Sequence, residues 1–178
     1  MLVLAVAGTW WLAYHVNAAV FQNLGYSERA SWVFLPAALR VIAVLLLDNI
    51  GVAGLVLGAY FTLPHTPSTT WIGEAGLSVS SGVAPLIAVS MCRRLLHLNG
   101  NLAGLRPWHI LALSASSALA NSIVLTAYLE IMAQNAYSFR QALVILVGDI
   151  TGSAITLLTL STTLNLIAST AILKVRNR

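Results

Sequence analysis

Val41-Ile42-Ala43-Val44-Leu45-Leu46-Leu47 and, later in the chain, Leu143-Val144-Ile145-Leu146-Val147 are unbroken apolar runs. A strand of a membrane β-barrel would alternate polar and apolar residues over about ten positions, and neither run alternates. An uninterrupted run is the pattern of a helix with apolar surroundings on every side. The rest of the chain has the same character. Of 178 residues, 58% are hydrophobic and 8% charged, against roughly a quarter charged in soluble domains, and mean hydropathy is +0.86. A fold of this length has no interior large enough to hide that surface from water, so lipid is its expected solvent. The chain therefore reads as all-α, a polytopic membrane helical bundle forming one domain over residues 1–178. At about 20 residues per span it holds about six transmembrane helices.

Segment one covers Leu2 to Phe21. It lacks a basic start and a cleavage site, so it is expected to be retained rather than removed as a signal peptide. Segment two, Ser31 to Leu47, ends at Asp48-Asn49, and segment three, Ile50 to Leu63, is short and glycine-rich. A loop of breakers and hydroxyls, Pro64 to Thr70, precedes segment four, Trp71 to Leu95. The connection His97 to Pro107 contains Asn99-Gly100-Asn101 and leads to segment five, Trp108 to Met132. Segment six, Phe139 to Ile172, is too long for one simple span. A break near Gly148-Asp149, or a helix running past the bilayer, is expected there. No repeat of solenoid length is visible.

Nine basic against five acidic residues give a formal charge of +4. The basic residues gather at span ends, where they set orientation, so membrane lipid rather than nucleic acid is the expected partner surface. Arg93, Arg94 and Arg106 flank one loop, and Lys174, Arg176 and Arg178 form the tail. Both sets belong in the cytoplasm under the positive-inside rule. Both termini are then cytoplasmic, with Arg29 and Arg140 as exceptions on the outer side. Trp32, Trp71 and Trp108 stand at span ends, where indoles favour the headgroup zone.

Ionisable residues within hydrocarbon are costly and usually face the bundle interior. Arg40 and Asp149 both lie inside apolar sequence. In one reading Arg40 pairs with Asp149, or with Asp48, and locks the bundle. In the other it offers its charge to a small anionic ligand in a central cavity. Trp32, Pro36 and Arg40 follow at i, i+4, i+8 and would share a helix face. Pro36 leaves the carbonyl of Trp32 without its helical partner, as a tolerated kink or as part of a site. The candidate binding set is Arg40 and Asp149 at a polar centre, Trp32 and Pro36 as its wall, and Asn121.

Gly51, Gly54 and Gly58 suit close helix packing. Ser114, Ser117 and Asn121 form one polar stripe, and Glu74, Ser78 and Ser81 another; both are expected to face inward. Trp11, His15 and Gln22 share a face of segment one, with His15 expected as a hydrogen-bonded interior residue. Cys92 is the single cysteine, so no internal disulfide and no cysteine metal cage can form. No GxSxG, Walker A or HExxH motif occurs, and the histidines at 15, 65, 97 and 109 are scattered. Glu28, Glu74, Glu130 and His65 show no catalytic spacing. The expectation is a protein that is not an enzyme and needs no cofactor or metal.

The order of these features resembles the membrane-associated sensor domains, the MASE class, of bacterial signalling proteins. The matching elements are Trp32 with Pro36, Gly54 with Gly58, the Arg93-Arg94 region, and Gly148-Asp149-Ile150-Thr151-Gly152, over roughly residues 30–165. Ala37-Ala38 stand where that family usually has a glycine after the proline. The resemblance implies a sensory domain of the bacterial inner membrane. Such domains are normally fused to a kinase or cyclic-dinucleotide module, so this chain is expected to signal through a partner membrane protein. In size and helix count it is also similar to the substrate-binding subunits of energy-coupling-factor vitamin transporters. An accessory subunit of a larger membrane complex is the third alternative.

Overall fold

The computed structural model describes residues 1–27, 30–63, 70–96, 107–132 and 139–176, with residues 107, 161 and 164–176 as backbone alone. Glu28, Arg29, the connections 64–69, 97–106 and 133–138, and residues 177–178 lie outside the described residues. The expectations for His65, His97, Arg106 and Arg178 fall there. Five helices carry the fold: α1 (Leu2–Phe21), α2 (Pro36–Thr62), α3 (Trp71–Leu95), α4 (Pro107–Ile131) and α5 (Phe139–Arg176). A 3-10 turn, Gln22–Leu24, and two short antiparallel strands, β1 (Gly25–Ser27) and β2 (Ala30–Ser31), join α1 to α2.

All five helices are long and apolar enough to cross a bilayer. Helices dominate because hydrocarbon offers backbone N–H and C=O groups no partner outside the segment itself. The bundle accordingly wears its large apolar side chains outside. Leu4, Phe61, Trp71, Leu111, Ile131 and Phe139 are all exposed, around a core that includes Trp10, Val44, Leu55, Val89 and Leu113. Thr70 caps α3, its hydroxyl accepting from the Gly73 N–H at 3.2 Å. Glu74 in the first turn of α3 and Arg93 and Arg94 in its last complement the helix dipole.

The contacts of α2 reveal its shape. Leu35 and Arg40, at its start, meet Asn17 and Trp10 of α1, so this arm runs antiparallel to α1. Gly54 lies against Val3 and Val6, and Gly58 against Ala7 and Trp10, so the later arm runs parallel to α1. The reversal falls at Asp48, which stands at φ 47° and ψ −124°, the corner conformation usually reserved for glycine and asparagine. Gly51 then meets the backbone of Ala43 so closely that no side chain fits between them. The second and third sequence segments are thus two arms of one broken helix, which accounts for five helices in place of about six spans. Its arms of about 12 and 14 residues measure only about 18 and 21 Å.

The glycines predicted to pack do so. A methyl at Gly58 would stand 2.9 Å from Trp10 Cβ, so the two helices touch backbone to side-chain root. Gly76 of α3 receives the Tyr128 ring of α4, whose hydroxyl donates to the Gly73 carbonyl at 3.1 Å. Helix α5 does not break at Gly148-Asp149. It continues through all 38 residues, about 57 Å, which is the second of the two expectations for segment six.

Asp48 is held by an ion pair with Arg93, which also donates to the Leu45 carbonyl. Asp48 is well exposed, so that pair is worth at most about 1 kcal/mol. Replacing a strained non-glycine conformation relieves about 1–3 kcal/mol. Asp48→Gly should therefore leave the detergent melting temperature unchanged or raise it. Asp48→Val, which tolerates positive φ least, should lower it clearly, and equal losses in both would show that the ion pair rather than the backbone governs the bend.

Candidate functional site

Between β2 and α2 the chain runs non-helically through the bundle, and each of its backbone groups finds a partner. Trp32 N–H donates to the Leu24 carbonyl, Phe34 N–H to that of Gly148, and Leu35 N–H to Asn17 Oδ1 at 2.8 Å. Val33 N–H and C=O both meet the Ser31 hydroxyl. The Thr151 hydroxyl donates to the Trp32 carbonyl at 2.7 Å, and Thr156 to that of Leu35 at 3.3 Å. Phe34 C=O accepts from Ala37 N–H. This stretch lies directly on the α5 backbone. A side chain at Gly148 or Gly152 would strike the carbonyls of Ser31 and Phe34. The Gly-Asp-x-x-Gly sequence thus makes the groove in which the segment lies and places Asp149 between the two glycines.

Arg40, in the second turn of α2, points from this segment at α5. Its Nη1 donates to Asp149 Oδ2 at 2.7 Å, and Asn121 Nδ2 of α4 donates to the same oxygen at 2.7 Å. The three residues are 6%, 3% and 3% exposed, so the charges meet in a low-dielectric interior where solvent screens little. The rings of Trp10 and Phe34 lie 5.4 and 5.1 Å from the guanidinium carbon, within cation–π range. Of the five N–H donors of an arginine, Arg40 uses one on a described residue, and its buried Nε has no hydrogen-bond partner.

The guanidinium opens onto a cavity of about 190 Å³. Trp10, Tyr14 and Asn17 of α1, Ser31 of β2, Phe34 of the non-helical stretch, Thr62 of α2, Leu77 and Ser81 of α3 and Leu125 of α4 line it. A smaller cavity of about 50 Å³ adjoins it on the far side of Arg40, against Asn121 and Asp149. Charge balance governs what the larger one can hold. At an effective dielectric near 20, an anion about 4 Å from Arg40 gains about 4 kcal/mol and loses about 2 to Asp149 beyond it. The difference does not cover the several kcal/mol needed to desolvate the anion.

The structure brings Arg40, Asp149 and Asn121 together and leaves Trp32 and Pro36 elsewhere. Trp32 is not on a helix, so it shares no face with Arg40. Its ring is 41% exposed, against Tyr26, and only its carbonyl serves the site. Pro36 is buried at the first position of α2, where a missing N–H costs nothing, so it starts a helix and does not kink one. Asp48 pairs with Arg93 and not with Arg40. Trp11, His15 and Gln22 are exposed, His15 stacking on Trp11 at 4.1 Å. The inward face of α1 is instead Ala7, Trp10, Tyr14 and Asn17, a spacing the sequence carries but from which the nearby histidine distracts. Ser114, Ser117 and Asn121 are buried, as are Glu74 and Ser78. Ser81 reaches the cavity, and Cys92 is packed inside. No group of three or more His, Cys, Asp or Glu placed to hold a metal occurs among the described residues.

Fold and site together define a class: a helical membrane bundle with a charge pair buried beside a small internal cavity. No family model, curated protein or solved structure matches the chain.

Removing one member of a buried pair strands the other, at about 3–5 kcal/mol. Arg40→Leu and Asp149→Leu should each lower the melting temperature in detergent, while the double variant recovers part of the loss. Additive losses would mean that the two charges are not coupled.

Proposed function

We propose that this chain is a membrane-embedded sensory or ligand-binding subunit that works through a partner protein. The observation that carries this reading is the cavity beside Arg40, whose guanidinium keeps donors unused by the described residues. Buried polar atoms usually find partners; of the four described side-chain atoms here that do not, only that of Arg40 belongs to a residue on this cavity. The similarity to MASE-class domains supports the sensory form. The cavity alone is equally compatible with the substrate-binding subunit of a vitamin-type transporter. One observation favours a purely accessory subunit: Arg40 already has Asp149 as its counter-ion, and a neutral pair can hold a bundle together without any ligand.

The proposed place is the bacterial inner membrane, with both termini cytoplasmic. The bend at Asp48 supports this orientation, because a reversal inside α2 returns the chain to the side it came from. Arg93 and Arg94 at the end of α3 then share a side with Lys174 and Arg176 at the end of α5. In a Cys92→Ala background, a membrane-impermeant thiol reagent added to intact cells should label Thr70→Cys and leave Arg94→Cys unlabelled. The opposite pattern would invert the orientation.

Purification in mild detergent with mass spectrometry of co-purifying chains tests the function. A kinase or cyclase supports sensing, and a nucleotide-driven transport module supports uptake. A broad thermal-shift screen of small solutes completes the test, since a ligand at a hundredfold excess over Kd adds about 2.7 kcal/mol of stability. If no solute shifts the protein, and a large stoichiometric complex assembles equally well with Arg40→Gln, the accessory role takes its place.

A further inference from the structure

Resting on the reading of the cavity as a ligand site, the geometry points to a ligand class: we infer that the cavity takes a small uncharged molecule that accepts hydrogen bonds, of the amide or carbonyl kind, with an aromatic-sized apolar part. Three observations converge on it. The N–H groups offered to the cavity, those of Arg40 and Asn17, have no acceptor on its walls to themselves, since the Ser31 and Ser81 hydroxyls there already donate to backbone carbonyls and Tyr14 adds a hydroxyl that can donate or accept. Arg40 has only N–H groups to give, and Asn17 has its side-chain oxygen committed to Leu35, which leaves its amide nitrogen. Thr62 and Trp10 are already bonded to each other at 3.1 Å.

The second observation is the charge balance. Arg40 and Asp149 sum to zero at 2.7 Å, so an anion's attraction to Arg40 is partly offset by repulsion from Asp149 and does not compensate it for losing water. A cation fares no better, since Asp149 Oδ2 already accepts from both Arg40 and Asn121. A neutral acceptor avoids both costs and gives the buried donors partners. The third is size and lining. About 190 Å³ falls below the roughly 300–1,000 Å³ of sites for drug-sized ligands, and the walls include Trp10, Tyr14 and Phe34 beside Leu77 and Leu125.

Ser81 lines the cavity without touching the charge pair, so Ser81→Cys in a Cys92→Ala background reports on access. Rates of modification are measured in detergent relative to free cysteine. Neutral methyl methanethiosulfonate should react at least about tenfold faster than the anionic sulfonatoethyl reagent, a difference of about 1.4 kcal/mol. Benzamide should slow the reaction, and benzoate should not. Adding Asp149→Asn, which keeps the shape and leaves Arg40 uncompensated, should raise the relative rate of the anionic reagent about tenfold or more. Equal or faster reaction of the anionic reagent in the parent, or protection by benzoate matching that by benzamide, overturns the uncharged class while leaving a ligand cavity. Fast neutral modification without protection by benzamide overturns the acceptor assignment. No modification by either reagent means the cavity is closed to solutes, and the ligand-binding function falls with it.

Discussion

Non-helical backbone packed among helices must find its hydrogen bonds within the protein, and the stretch from Trp32 to Leu35 is where this fold meets that requirement. Three elements contribute to it: Asn17 from α1, the Leu24 carbonyl from the turn before β1, and the Gly148 carbonyl with the hydroxyls of Thr151 and Thr156 from α5. The stretch is therefore a clasp between the first and last helices. It also fixes where α2 begins, and hence the depth at which Arg40 emerges. Loss of Asn17 or Thr151 would leave a peptide group unsatisfied at a cost of about 1–3 kcal/mol, whereas the Leu35 carbonyl keeps Ala38 N–H if Thr156 is lost.

From that starting point the first arm of α2 has a fixed course. It descends beside α1, turns at Asp48 under the hold of Arg93, and returns along the glycine face of its second arm. The charge pair and the bend thus sit at opposite ends of one short rigid rod. Whatever repositions Arg40 against Asp149 is mechanically linked to the basic end of α3, about 12 Å away along eight residues of helix. An interior packed to crystal-like density transmits such a shift instead of absorbing it.

Much of the helical layout was legible in the sequence because lipid imposes a one-dimensional rule, apolar length, that needs no tertiary knowledge. Arg40 and Asp149 were legible for the same reason, as charges that hydrocarbon does not accept alone. The choice among Asp149, Asp48 and an anionic ligand as the partner of Arg40 comes from the structure. The course of the chain before Pro36 was not. A Trp-x-x-x-Pro sequence fits both a kinked helix and a helix that starts at the proline, and only the partners on α5 decide between them. The bend at Asp48 was hidden because Asp-Asn between two apolar runs reads as an ordinary short connection. Asn17 was missed because its role is to accept from a backbone N–H, which leaves no pattern in side-chain spacing. Gly148 read as a break in the last segment, whereas it and Gly152 let another chain segment touch an unbroken helix.

The separation of 109 residues between Arg40 and Asp149 has a consequence for biogenesis. During synthesis Arg40 reaches the insertion machinery long before its counter-ion exists, at about 5–20 residues per second some 5–20 seconds earlier. On the insertion scale an arginine at a helix centre costs about 2.5–3.5 kcal/mol, and the first arm of α2 is too short to offset it with apolar length. That arm has no stable position in the bilayer by itself. Its partners Asp149, Gly148 and Gly152 all come from α5. Of the five helices, α5 is thus the one that allows the first arm of α2 to settle.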